Sequence, residues 1–160
     1  SIEDFKRVVN AFRTSFPEIA LATDVICGFP GESEEAFQRT LRLIEDVSPD
    51  IVNVSKFFVR PGTAAAKMKK DSVPQSEIKR RSIRASALAK RLSFANNQRW
   101  VGWTGEILID EVGKVPRSWV GRNFAYKPVA VKSTSNLIGK FTSARIIRAF
   151  PTYLQARISQ

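Results

Sequence analysis

The chain has 160 residues, 43% of them hydrophobic with eleven Phe, a single Cys, no His and a formal net charge of +11. Such a chain can bury a real core in one domain or in a fragment plus a small domain, and none of its apolar runs approaches a bilayer span. One cysteine excludes an internal disulfide and fits a reducing compartment; with no histidine, neither a His-based site nor a three-cysteine metal cluster can be built from this chain alone.

The charge is uneven. Ser1–Val73 holds ten basic and eleven acidic residues, Pro74–Arg99 seven and one, and Trp100–Gln160 nine and three. A neutral block joined to a basic one suggests a nucleic-acid handle on a catalytic or scaffold part, and a solvated basic face would look the same.

In Ser1–Phe16 the residues Ile2, Phe5, Val9, Phe12 and Phe16 recur at three- and four-residue spacing behind Ser1, Glu3 and Asp4. The pattern predicts an amphipathic helix stopped by Pro17, and its charged start is unlike a signal peptide. A helix with no strand before it, feeding a buried strand, suggests a piece of a longer repeating βα architecture.

Ile19–Phe37 reads as that strand, a tight turn and a helix start. Alternation puts Ile19, Leu21, Val25, Cys27 and Phe29 on a bulky apolar face and Ala20, Ala22, Asp24, Ile26 and Gly28 on a small one with a carboxylate. The apolar face would pack under helices, which leaves the small face for a ligand near the strand's C-terminal end. Cys27 then reads as a buried small hydrophobe. Phe29-Pro30-Gly31 turns the chain, Ser33 can cap the next helix, and Ala36, Phe37, Thr40, Leu41, Ile44 and Val47 form its inner stripe.

Ile51–Val59 predicts a second strand, with Asn53, Ser55 and Phe57 on one face and Val52, Val54, Lys56 and Phe58 on the other. Arg60-Pro61-Gly62-Thr63 is a turn, and Ala64–Asp71 is irregular or one short helical turn. From Pro74 to about Asn97 a narrow stripe of Ile78, Ala85, Leu88, Leu92 and Ala95 predicts a connecting helix. Lys79, Arg80, Arg81, Arg84, Lys90 and Arg91 give it a basic outer face. Beyond Trp100, residues 105–112, 118–124, 127–132, 139–149 and 152–158 read as five strands of a small closed OB-like barrel.

In Gly121-Arg122-Asn123-Phe124-Ala125-Tyr126-Lys127 cations and aromatics interleave, as backbone contact and base stacking on RNA require. Lys132, Lys140, Arg145, Arg148, Trp103 and Trp119 are candidates to extend that surface, the tryptophans equally candidates for the core.

Two segments carry a resemblance. Asp24-Val25-Ile26-Cys27-Gly28-Phe29-Pro30-Gly31-Glu32 resembles the fifth-strand segment of radical S-adenosylmethionine methylthiotransferases. Ser55-Lys56-Phe57-Phe58-Val59-Arg60-Pro61-Gly62-Thr63-Ala64-Ala65-Ala66-Lys67-Met68 resembles their next strand and R-P-G-T-x-A-A signature. The region after Trp100 resembles their RNA-binding TRAM domain. R-P-G-T-A-A-A-K-M and G-R-N-F-A-Y-K-P-V are closest to the archaeal and eukaryotic branch acting on threonylcarbamoyladenosine in tRNA.

The resemblance implies an α/β plus all-β fold: residues 1–72 as the C-terminal part of a partial (β/α) barrel, 73–99 as a basic connecting helix and 100–160 as the TRAM barrel. It implies S-adenosylmethionine as cofactor, walled by Asp24, Ile26, Gly28, Phe57 and Phe58, with Glu32 either orienting the loop or touching the cofactor. It implies tRNA as partner, held by Arg122, Asn123, Phe124, Tyr126, Lys127, Lys132 and Lys140. The family's two 4Fe–4S clusters would be ligated outside this chain, by a C-x-x-x-C-x-x-C loop and an N-terminal domain. With them absent, the chain alone is expected to be inactive, to need the rest of the barrel as a partner, and to supply part of a cytoplasmic enzyme that adds a methylthio group to C2 of the modified adenosine. The alternative is a non-catalytic RNA-binding protein that keeps a half-barrel scaffold.

Overall fold

The computed structural model describes residues 1–68 and 71–159; Lys69 and Lys70, inside the expected Ala64–Asp71 stretch, and the terminal Gln160 lie outside the described residues. Contacts divide the chain into two units, residues 21–92 and residues 1–20 with 93–160. No helix among the described residues is long and apolar enough to cross a membrane.

The first unit is a parallel βαβ pair backed by helices. Strand β1 (Ala22–Cys27) pairs in parallel with β2 (Ile51–Lys56), Ala22 opposite Ile51 through Cys27 opposite Lys56. Helix α2 (Glu34–Val47) joins them. Ser33 caps its start by accepting from the Ala36 N–H, and Ser48 at φ 45° ends it. Asp50, buried, then accepts from the Leu21 N–H at 3.0 Å and ties the entrance of β1 to that of β2. After the short α3 (Ala64–Lys67) the long α4 (Gln75–Gln98) begins, and its first three-quarters belong to this unit.

The predicted faces appear in the burial pattern. Cys27 packs with Phe37 of α2 and Ala85 of α4, with Val25, Leu41 and Val54 around them. Ala22, Asp24, Ile26, Ile51, Asn53 and Ser55 point the other way and are exposed. Alternation stops at Cys27 because the backbone reverses at Gly28, so Phe29 leaves the apolar face. It is 46% exposed and meets Phe57 edge-on at 5.4 Å.

The expected basic face of α4 is largely spent inside the unit. Arg81 is buried, and Arg80, Arg84 and Arg91 bind Glu34, Glu77 and Glu45 of this unit. Arg81 therefore corrects the outer-face reading: its guanidinium lies 2.7 Å from Glu32 and 2.8 Å from Glu77. Ala95, expected on the apolar stripe, is exposed.

The second unit contains α1 (Ile2–Ser15), the end of α4 and a closed barrel of β3 (Thr104–Val112), β4 (Ser118–Arg122), β5 (Pro128–Lys132), β6 (Phe141–Ala149) and β7 (Leu154–Ile158). The strand order is β3-β4-β5-β7-β6, all pairs antiparallel except β5 with β7. Register shifts in β3, between Ile109 and Glu111, and in β6, between Ile146 and Arg148, bend the two longest strands as closure requires. Ile107, Ile109, Val129, Val131, Ile146 and Leu154 fill the interior, Trp100 is buried with them, and Trp103 and Trp119 pack at the edge. Ser1 and Asp4 form a capping box on α1, and of its apolar stripe Val9 alone is buried.

The network at the start of α4 titrates. Hydrogen bonds from Arg80 and then Arg81 push the Glu77 carboxyl down to about 2. A carboxylate with a depressed folded-state pKa stabilises the fold above its ordinary pKa, and that contribution is lost as pH falls through the folded one. The helical circular-dichroism melting temperature should therefore fall between pH 4.5 and about 2. Glu77→Gln should start lower at neutral pH and fall less across that window; parallel curves for the two proteins would refute the assignment.

Candidate functional site

Two surfaces bring the predicted residues together, one in each unit. On the open face of the two-stranded sheet Asp24 and Asn53 lie opposite each other, and the Asn53 amide donates to Asp24 Oδ1 at 2.9 Å. Ile26, 55% exposed, adds an apolar patch beyond them. Where the strands end, Gly28, Phe57, Phe58, Val59, Met68 and Ile78 line a cleft of about 300 Å³. Phe57 and the exposed Phe58 thus border the cleft at the C-terminal ends of the two strands, whereas Asp24 and Ile26 lie on the open face before it and do not line it.

Gly28 and Glu32 have another task. Gly28 sits at φ +83°, and a methyl group there would lie 2.8 Å from Ile78 Cδ1 and nearer still to its Cγ1. The glycine is demanded by a left-handed turn pressed against α4. Glu32 accepts from the Gly28 N–H at 2.8 Å and from Arg81 Nη1 at 2.7 Å, while the same nitrogen also donates to the Glu32 carbonyl. Of the two roles open to Glu32, these bonds realise the orienting one. Cys27 is inert by placement: burial pushes its thiol up, and the Glu32 carboxylate adds to the shift.

The second surface is the turn between β4 and β5. Burial alternates through it, Asn123, Ala125 and Lys127 inward, Phe124 and Tyr126 outward at 64% and 73% exposure. Asn123 Oδ1 accepts from the Ala125 and Lys127 N–H groups, and Tyr126 is held at φ 59°. Lys127, 3% exposed, sends its ammonium to Asn97 Oδ1 at 3.0 Å, and Asn97 donates onward to the Phe150 carbonyl at 2.8 Å. Asn123 and Lys127 therefore lie beneath the surface that they were expected to form. The period-two burial of Val129 and Val131 runs back to them and could have signalled it.

Arg122 lies over the Tyr126 ring at 5.2 Å and 3.4 Å from Asp110. Arg122 and Lys132 border one cleft of about 650 Å³, while Phe124 and Tyr126 border another; Lys140 is exposed and borders neither. Trp119 donates its indole N–H to the Ser133 carbonyl, a packing role. Sequence reasoning missed Asn97 and Asp50, both polar residues in otherwise ordinary positions.

A family model described as TRAM domain matches residues 98–159, the barrel and the residues leading into it. The "Probable threonylcarbamoyladenosine tRNA methylthiotransferase" of Pyrococcus horikoshii is 41% identical over 99% of the chain. The chain matches the C-terminal part of tRNA methylthiotransferases. The "Threonylcarbamoyladenosine tRNA methylthiotransferase" of Xenopus laevis is 34% identical over 98% of the chain. A "tRNA-2-methylthio-N(6)-dimethylallyladenosine synthase" of Dehalococcoides mccartyi shares the same identity and coverage. The chain spans 36%, 27% and 37% of these relatives' lengths, and the match lies in the C-terminal part of the family.

Gly28→Ala should cost about 1–3 kcal/mol of stability in urea unfolding through backbone strain and the Ile78 contact. Combining it with Ile78→Ala should return part of that loss, since the two changes share one contact. Strict additivity would show that the glycine is not there for Ile78.

Proposed function

We propose that the chain supplies one wall of the S-adenosylmethionine pocket and the tRNA grip of an enzyme that methylthiolates C2 of N6-threonylcarbamoyladenosine at position 37, near the anticodon. The observation that carries the tRNA half is the β4–β5 turn. It puts a cation and two solvent-exposed aromatics side by side on a closed barrel with nine basic and three acidic residues from Trp100 onward. The higher identity to the threonylcarbamoyladenosine enzyme of Pyrococcus horikoshii, 41% against 34% for the dimethylallyl enzyme of Dehalococcoides mccartyi, supports the choice of substrate.

Each RNA residue then has a distinct part. Arg122, Lys132 and Lys140 neutralise phosphates, Phe124 and Tyr126 offer ring faces, and the buried Asn123 and Lys127 hold the turn that carries them.

The residues of the α/β unit fit one side of the cofactor. Ile26 offers an apolar surface, Asp24 and Asn53 a paired acceptor and donor at the surface, and Phe57 and Phe58 a cleft edge, while Gly28, Glu32 and Arg81 keep the turn in place. Bound there, S-adenosylmethionine supplies hydrogen-abstracting radical chemistry to the complete enzyme. The iron–sulfur clusters do not fit this chain. Among the described residues no group of His, Cys, Asp and Glu could hold a metal ion, and Cys27 is buried on the helix side of the sheet. Their ligands belong to other parts of the enzyme.

Binding of a tRNA anticodon stem-loop to the chain should weaken with salt, with a log–log slope of roughly −2 to −5 for a few phosphate contacts. Arg122→Ala should lower affinity and flatten the slope by about one, whereas Tyr126→Ala should cost about 1–3 kcal/mol of binding with the slope kept. Salt-independent binding by the wild type would overturn the electrostatic grip.

A further inference from the structure

Inside the unit formed by residues 1–20 and 93–160, the end of α1 and the β4–β5 turn border a groove of about 640 Å³. Phe12 and Phe16 line it from one element and Phe124 and Tyr126 from the other, at 52%, 59%, 64% and 73% exposure. Four rings in solvent around one groove are an unspent apolar surface, and the volume is that of a small-molecule site. Tyr126 is kept there against the backbone preference of a bulky residue, at φ 59°, by the hydrogen bonds of the turn.

The groove also has a polar mark. Glu18 lines it and is exposed, and among the described residues its carboxylate has no ion-pair or hydrogen-bond partner. A protein of net charge +11 thus sets a carboxylate in a groove bordered by aromatic rings, one of which, Tyr126, has the Arg122 guanidinium over it. A lone phosphate would be repelled by it. An uncharged, flat, hydrogen-bond-donating group would be welcomed, provided that any phosphate attached to it sits further out, where cations stand.

We propose that this groove receives an unpaired guanine base of a bound RNA, stacked on Phe16 and Tyr126 and read by Glu18, with the flanking phosphates towards Arg122. The inference rests on the reading of the barrel as an RNA grip. Guanine presents two adjacent donors, its imino N–H and amino group, which match the two oxygens of one carboxylate. Adenine and cytosine each set a single amino donor beside a ring acceptor, and uracil flanks its imino group with two carbonyls. Each of those acceptors would face the carboxylate at a cost.

The test is the affinity of the chain, at one salt concentration, for three short single-stranded RNAs: all uridine, and the same with one central guanosine or adenosine. The guanosine RNA should bind about tenfold more tightly than the all-uridine one. Glu18→Gln should erase that preference while leaving all-uridine binding at least as tight as in the wild type. Phe16→Ala should weaken binding of all three by about five- to tenfold through lost stacking. Both side chains are exposed, so the melting temperature should stay within a degree or so of wild type. Salt-dependent binding that is equal for the three RNAs and indifferent to both substitutions would overturn the groove and leave the RNA grip standing. Absence of binding to any RNA would overturn both.

Discussion

Each unit depends on a buried cation that closes the turn at its candidate site. Arg81 does this in the α/β unit. Its side chain is 6% exposed and bonds the Glu32 carboxylate and carbonyl, while Glu32 bonds the Gly28 N–H. Lys127 does it in the barrel, through Asn97. Burying a charge is expensive unless it is paired and hydrogen-bonded, and removing one partner of a buried pair costs about 3–5 kcal/mol. Such turns have few alternatives. The polar partners on α4, Arg81 and Asn97, therefore hold the two turns in place.

The same accounting redistributes the charge of the molecule. Arg80, Arg81, Arg84 and Arg91 are matched by Glu32, Glu34, Glu45 and Glu77, so the basic stretch around α4 works mostly for the fold. These exposed pairs are individually weak, but Arg81 is not exposed and anchors the set. What remains for the proposed RNA contact is the barrel's own excess, in which Arg122, Lys132 and Lys140 stand at or near the surface.

How much of this could be read in advance divides along physical lines. Helix starts, the two parallel strands and their faces, and the five barrel strands follow from periodicity and capping, and were legible at Ser1, Ser33, Cys27 and the run after Trp100. Strand ends were not: the stretches expected over 118–124 and 127–132 stop at Arg122 and begin at Pro128, because Asn123 offers the backbone a turn instead. Least legible was the fate of individual charges. Local sequence marks Arg81 and Lys127 as polar, but only tertiary packing supplies the carboxylate or amide that lets them go inside. Gly28 shows the same limit. Its smallness was legible, yet the neighbour that enforces it, Ile78, lies fifty residues away in sequence.

In the proposed function the β4–β5 turn presents its outward side chains to tRNA while its inward ones only hold it. Amide and side-chain NMR of the labelled chain, titrated with an anticodon stem-loop, tests this most directly. The largest shifts should fall at Arg122, Phe124 and Tyr126, with the Lys127 ammonium still in slow proton exchange and still bonded to Asn97. Shifts centred elsewhere on the barrel with the turn unmoved, or a Lys127 ammonium released to bind RNA, would contradict it.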